Sequence, residues 1–482
     1  MDELIILSIG IFVLLVMSFL MNQYDFFSPS FIVCAIFMVS CILALRAVIV
    51  WGVDESIFTM KATLIMLSGI SLFVITEQLA KVISPKKYDP KKEENGSARI
   101  TMSRIKIVLV LLFCVVTVML YCNSAYYYVY KNGYTGTFNL SQIGKYWHDL
   151  TFADENVGGV SRTIRIMGRA VNAIMFIGIY IFLNNIIMCR DKVIKNIIYI
   201  VPSICWLPVT IVTSARAIYL NLVGCAVLMV YVMMNRKDCW KRRHRNFKKI
   251  ITIGAVILAV ALILFYFAVM NGLIGRKTDK TFLDYVTIYL GAPIIHFNQF
   301  IMDPPEGIHY FGQETFAGLQ SILVRIGLIS TRYSTQSEAR IIVANYGGNI
   351  YTFFRRPLHD FGLFGMYIIT ALISFIFSFL YYKRIYKSCF SYKNDRFLIG
   401  YGYFFYIIYL FPIDNTIYPY VSMSTVYFIT TFWLAYAIMV GHIDVKMKAD
   451  GLKLTLKRRN PYSVNDTREN GHQYFREYPF DS

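Results

Sequence analysis

The long polar segment 272–357 carries Arg, His, Asp and Glu and closes on Arg355-Arg356-Pro357-Leu358-His359-Asp360-Phe361-Gly362-Leu363-Phe364-Gly365, a run that leads straight into an apolar stretch. Residues of these types beside a membrane face can hold anions and move protons. His359-Asp360 can act as a proton acceptor. Neighbours on a helix point about 100 degrees apart, so the two need not work together, and a capping or structural His is the alternative. At Val212-Thr213-Ser214-Ala215-Arg216, Thr213 or Ser214 can cap the helix that follows, with Arg216 in its first turn. Free backbone N–H groups, the positive helix end and a guanidinium would together suit a phosphate or diphosphate. The alternative is that Arg216 anchors the turn among lipid headgroups. Arg162, Arg165 and Arg169 are spaced to project from one helix face. Such a stripe holds a diphosphate, or else is a solvated face beside anionic lipid.

Thr281 to Met302 reads as an aromatic amphipathic stretch in which Phe282, Tyr285, Tyr289 and His296 share one face at the membrane surface. Beyond it come Tyr310-Phe311-Gly312-Gln313-Glu314-Thr315-Phe316, Arg340 and Asn345-Tyr346-Gly347-Gly348-Asn349-Ile350-Tyr351-Thr352. Aromatics beside amides and carboxylates suit a sugar cleft, because sugar rings present apolar faces ringed by hydroxyls. The same composition also makes an interfacial belt.

The elements that must position these residues are membrane helices. With 482 residues, 56% hydrophobic and 16% charged, the chain has more apolar surface than a soluble domain can bury. The fold class expected is all-α, a polytopic membrane protein. Apolar runs near 4–22, 31–51, 59–79, 105–123, 170–188, 194–211, 217–234, 250–271, 362–382, 397–414 and 421–440 suggest about eleven transmembrane helices. The N-terminal run lacks the basic region and cleavage site of a secretory signal and is expected to be a retained first helix.

The segments 81–106, 189–196, 235–249, 383–396 and 441–482 carry 8, 3, 8, 5 and 8 basic residues, and alternation of eleven spans puts all five on one side. Basic short loops mark the cytosol, so the N-terminus is expected outside and the C-terminus inside. Residues 1–440 then form the membrane domain, with a large external loop, 272–357, and a smaller one, 125–169. Residues 441–482 form a basic, disordered cytosolic tail that can touch anionic lipid. The net charge of +19 is a topology signal, and no nucleic-acid partner is expected, since no nucleic-acid motif accompanies it. No cysteine falls in either long loop, so neither a disulfide framework nor a Cys-based metal site is expected there. The absence of GxxxxGK[ST], HExxH and GxSxG argues against an ATPase, a zinc protease and a serine hydrolase.

In its motifs the chain resembles the bacterial oligosaccharide repeat-unit polymerases of the Wzy, or O-antigen polymerase, type. The resemblance spans most of the chain. It rests on Asp25-Phe26-Phe27-Ser28-Pro29, Thr213-Ser214-Ala215-Arg216, Tyr310 to Phe316, and Asn349-Ile350-Tyr351-Thr352 leading to Asp360-Phe361-Gly362-Leu363-Phe364-Gly365. It implies a glycosyltransferase that joins polyprenyl-diphosphate-linked oligosaccharides at the outer face of a bacterial cytoplasmic membrane. No nucleotide sugar, cofactor or metal is implied, and flippase and chain-length regulator proteins are the implied partners, besides membrane lipid. Arg216 matches the family's Arg at the helix opening and is the first candidate for the diphosphate, followed by Arg355 and Arg356, then Arg340 and Arg276. His359, Asp360 or Glu314 would be the base, and Asn349 and Tyr351 substrate contacts. The rivals are a polysaccharide ligase, which passes the glycan to another acceptor, and a lipid-linked oligosaccharide flippase, which would favour short loops and a charged central cavity.

Overall fold

The computed structural model describes residues 2–84, 99–153, 159–215, 217–237, 240, 254, 280–333, 337–344, 346–441, 443–448 and 451–456. Among these, eight helices are long and apolar enough to cross a membrane, or nine if one bent pair counts as a span. The first six helices are α1 (Asp2–Met21), α2 (Pro29–Trp51), α3 (Met60–Ile83), α4 (Arg104–Lys131), the shorter α5 (Leu140–Ala153) and α6 (Arg162–Leu183). The bent pair is α7 (Val193–Tyr199) and α8 (Val201–Thr213), angled by 48°. Then follow α9 (Ala217–Lys237), α10 (Phe282–Leu290), α11 (Ala292–Met302), a hairpin of β1 (Arg340–Val343) and β2 (Tyr346–Gly348), α12 (Arg355–Leu380), α13 (Tyr392–Phe404) and α14 (Met423–Tyr436). The last element is an antiparallel hairpin of β3 (Ile443–Lys448) and β4 (Gly451–Leu456), inside the segment read from sequence as a disordered tail. The expected span 250–271 lies outside the described residues, apart from residue 254.

The contacts sort the connections into two ends. At one, called here the loop end, Arg46 of α2 binds Asp284 at 2.9 Å, Asn298 accepts the Thr59 N–H at 2.9 Å, and Arg356 meets Asp414 at 3.3 Å. At the other end, Arg99 binds Asp191 at 2.8 Å, Tyr231 and Tyr381 donate to Asp25, Arg236 pairs with Asp395, and Tyr436 donates to the Tyr392 carbonyl. Described helices therefore run alternately between the ends, as spanning helices must. Arg46, a charge inside an apolar helix, is accommodated by a partner at the helix end.

Two sequence expectations change. The 397–414 run is not one helix: α13 stops at Phe404, and the chain passes through a short turn of helix at Tyr406–Tyr409 into turns that end at Pro412. Phe411 is packed face to face on Phe353 at 3.8 Å and accepts the Phe353 N–H at 2.9 Å, so aromatic packing and proline override the hydropathy signal. The Thr281–Met302 stretch is likewise broken, at Gly291 and Pro293, into α10 and α11. Phe282 is exposed, whereas His296 is buried, its Nδ1 2.8 Å from the Ile350 carbonyl, so the four aromatic residues share no single face.

Candidate active site

The loop carrying Tyr310 to Phe316 is fastened to the first turns of α12 by one carboxylate. Asp360 accepts N–H bonds from Glu314 at 3.1 and 3.2 Å and from Thr315 at 2.6 Å. The tight approach needs Gly312 in a left-handed conformation, φ +81°, where a Cβ would lie 2.8 Å from the Phe316 ring. Phe361 then packs against Phe311 and Phe316, with centroids 4.5 and 5.8 Å away. Gly362 breaks the helical geometry at φ 67°, ψ −172°, which separates the polar turns 355–361 from the apolar run that follows.

This fastening turns the Glu314 side chain toward Arg355 and His359. Arg355, 1% exposed, forks between the carboxylates of Glu314 and Glu338. Its guanidinium also sits over the rings of Phe300 and Tyr351, at 5.2 and 5.4 Å. His359 places Nδ1 3.2 Å from Glu314 Oε1 and Nε2 3.1 Å from the Glu306 carbonyl. Nε2 thus meets a carbonyl, while Nδ1 lies at ion-pair distance from Glu314 without a hydrogen bond, and the carboxylate raises the His359 pKa. Burial alone would push the Glu314 carboxyl up, but His359 and the charges of Arg355 and Arg356 outweigh it and hold the group below the usual glutamate value of 4.5. Beside Asp360, burial pushes the Tyr310 phenol up to about 12, so this ring keeps its proton.

A second tier surrounds the first. Arg340 on β1 reaches Glu338 at 3.5 Å, Asp303 at 3.4 Å and the Gln299 carbonyl at 3.2 Å. Tyr351 donates to the Glu338 carbonyl at 2.9 Å. Arg356 points away from Arg355, pairing with Asp414 and lying 4.4 Å from the Tyr418 ring centroid. Among the polar atoms of this region that are buried without a hydrogen-bond partner are Glu338 Oε1, Arg340 Nε, Arg355 Nε, Thr315 Oγ1, His359 Nδ1 and the Tyr310 hydroxyl. Such atoms are costly unless something else comes to meet them.

The structure thus brings together Glu314, His359, Asp360 and Arg355, with Arg340 and Tyr351 one contact away. Asn349 stands half-buried at the exit of the β1–β2 hairpin. Arg162, Arg165 and Arg169 lie apart, on α6, and Arg216 and Arg276 lie outside the described residues. Among the described residues neither Thr213 nor Ser214 accepts an N–H of α9: Thr213 donates to the Val209 carbonyl at 2.7 Å and Ser214 to the Gly144 carbonyl at 3.1 Å. Sequence reasoning missed Glu338 and Asp414, whose signal was the need of two buried arginines for counter-charges. Glu314, His359 and Asp360 also present potential metal-ligand atoms within 4.8 Å of one another, a mixed nitrogen and oxygen donor set. Backbone N–H groups and Arg355 supply the positive partners of its two carboxylates.

Comparison of the chain with protein-family models, with curated proteins and with solved structures found no match.

Proposed function

We propose that the protein is a glycosyltransferase that polymerises polyprenyl-diphosphate-linked oligosaccharide repeat units, and that the loop end faces outward from a bacterial cytoplasmic membrane. The observation that carries this reading is the joining of Glu314, His359, Asp360 and Arg355 into one buried ionic cluster at the end of a helical bundle, within a loop region rich in aromatics and amides. Orientation follows from the basic segments. Arg99, Arg236, Arg384 and Arg396 belong to the opposite end, which is therefore cytosolic. Eleven crossings satisfy this arrangement, counting 250–271 and a broken 397–414.

The transfer joins an acceptor hydroxyl oxygen to the anomeric carbon of the growing chain as the bond from that carbon to the diphosphate breaks. The electron pair leaves with the diphosphate, and the hydroxyl proton must go to a base. Glu314 is that base: Arg355 occupies Oε2, and Oε1 faces His359. His359, 3.2 Å away, aligns this oxygen, and the proton stays on the Glu314 carboxyl. Asp360, bound to two backbone N–H groups, positions the loop and is not the base. Arg355, Arg356 and Arg340 are each held by carboxylates, and Arg216, which matches the family's Arg at the helix opening, is the anchor for the leaving diphosphate. Flippase and chain-length regulator proteins are the partners this role requires.

The experiment is reconstitution of the pure protein in liposomes with a polyprenyl-diphosphate-linked repeat unit. A ladder of glycans together with free polyprenyl diphosphate supports the reading. Release of single units without a ladder would indicate hydrolysis, and substrate crossing the bilayer unchanged would indicate a flippase. Arg216→Ala is expected to leave the protein in the membrane and reduce the product to single repeat units.

A further inference from the structure

The arginine stripe on α6 stands in a different situation from the arginines of the cluster. At the loop end, the other arginines that are at least half-buried, Arg46, Arg340, Arg355 and Arg356, each hold a carboxylate. Arg162 donates to the Tyr427 hydroxyl. Arg169 is half-buried and within electrostatic reach of the Tyr403 and Tyr420 hydroxyls. Neither it nor Arg165 has an ion pair or hydrogen bond among the described residues. Arg165 is exposed, whereas the half-buried charge of Arg169 near the start of a spanning helix is costly without a counter-charge, as at a ligand-binding position.

A second observation lies beside it. Asn172, on the same face of α6 one turn beyond Arg169, is 6% exposed and its Oδ1 has no hydrogen-bond partner. Asn221 on α9, 3% exposed, gives its Nδ2 to the Tyr403 carbonyl at 3.0 Å and the Tyr420 hydroxyl at 3.4 Å, and its Oδ1 is also unpartnered. On the far side, Tyr403 stacked on Phe428 at 3.7 Å forms an apolar floor. The set therefore offers guanidinium donors to an anion and amide oxygens to hydroxyl donors. A diphosphate attached to a sugar carries both.

We propose that Arg165 and Arg169, backed by Asn172 and Asn221, bind the diphosphate and first sugar of a polyprenyl-linked glycan, as an anion site separate from the carboxylate cluster. One short segment borders both places: Asp414 and Tyr418 meet Arg356, and Tyr420 meets Asn221. Gly318 of the cluster's loop packs on the same segment, where a Cβ would lie 2.4 Å from the Tyr418 carbonyl oxygen. The identity of the lipid rests on the proposed polymerisation. That reaction brings together two diphosphate-linked lipids, and only one of them loses its diphosphate in a given step, so two anion sites are needed.

The test is binding without turnover. Full-length protein in phosphatidylcholine nanodiscs is titrated with a fluorescent polyprenyl diphosphate bearing one sugar. R165Q/R169Q is expected to raise Kd at least about tenfold, and Arg169→Lys to restore part of the affinity. Asn172→Leu is expected to weaken the sugar-bearing probe more than the bare polyprenyl diphosphate. Arg384→Gln, at the opposite end, is the control and should bind as the unaltered protein does. Unchanged affinity in the double variant overturns the proposal. So does an equal loss in the control, or displacement of the probe by phosphatidylglycerol as readily as by polyprenyl diphosphate, which would make the stripe a general headgroup contact. Because no transfer is measured, these outcomes are separate from the fate of the proposed reaction, which a glycan ladder decides.

Discussion

Two polar networks, one at each end of the bundle, are built on opposite principles. At the end opposite the loops, the carboxylate of Asp25 accepts from the Tyr231 hydroxyl at 2.6 Å, the Phe27 N–H at 3.0 Å and the Tyr381 hydroxyl at 2.7 Å. Glu77 accepts from the Ser30 N–H at 2.6 Å and the Tyr382 hydroxyl at 2.8 Å. Both carboxylates are buried, and neither forms an ion pair with a described residue. Fixed hydroxyl and amide donors satisfy them, so the knot ties α2, α3, α9 and α12 together without poising any group for exchange. The loop-end cluster is built from ion pairs instead. Arg355 is shared by two carboxylates, His359 faces two acceptors, and several buried polar atoms wait for a partner. Full satisfaction suits a structural joint, and partial satisfaction suits a site that must accept a ligand.

Substitutions separate the two networks. The largest expected effect is on chemistry: Glu314→Gln should lower polymerisation by about 10²-fold or more, read as the glycan ladder at matched protein level, with a loss of stability smaller than that of Arg355→Ala because Arg355 keeps Glu338. Next comes Arg355→Ala, which strands Glu314 and Glu338. It should cost about 3–5 kcal/mol in stability as well as activity, with Arg355→Lys recovering stability better than turnover. Asp25→Ala should show the reverse of Glu314→Gln. It leaves the Tyr231 and Tyr381 hydroxyls unmet, costs about 1–3 kcal/mol for each, and lowers the melting temperature while folded protein keeps its turnover. A Glu314→Gln protein that melts early but polymerises normally would break the comparison.

The smallest effect is one of pH. Glu314 is held below its ordinary value of 4.5, so its contribution to stability is present above 4.5 and is lost as pH falls through the lower value of the folded state. In the difference in unfolding free energy between the unaltered protein and Glu314→Gln, the carboxyl's own contribution should therefore be lost as pH falls below 4.5, while its hold on protonated His359, whose pKa it raises above 6.5, should make the difference larger as pH falls from alkaline values to 6.5. A difference that grows as pH falls below 4.5 would mean that the carboxylate is destabilised by its surroundings.

Much of the frame was legible in the sequence, because a bilayer imposes long apolar helices and polar connections that hydropathy reports directly. The cluster was legible in part. Arg355, His359 and Asp360 lie within two helical turns, and Glu314 stands in a motif that marked the loop. Their partners were not legible, since the contacts join residues 41 to 46 positions apart in the chain. Asp360, a candidate base in sequence, accepts the N–H groups of Glu314 and Thr315, and Arg355, a candidate diphosphate anchor, is paired with Glu314 and Glu338. Glu338 and Asp414 escaped notice because an isolated acid in a polar loop carries no periodic signal. The 397–414 run misled because composition cannot show that Phe411 is drawn out of helical register by its stack on Phe353.

The most direct measurement compares Glu314→Gln and Asp25→Ala in the same reconstituted polymerisation, with initial rate normalised to folded protein. The rate per folded molecule should collapse for Glu314→Gln and remain near that of the unaltered protein for Asp25→Ala. A normal ladder from Glu314→Gln would contradict the assignment of the loop-end cluster as the site of transfer.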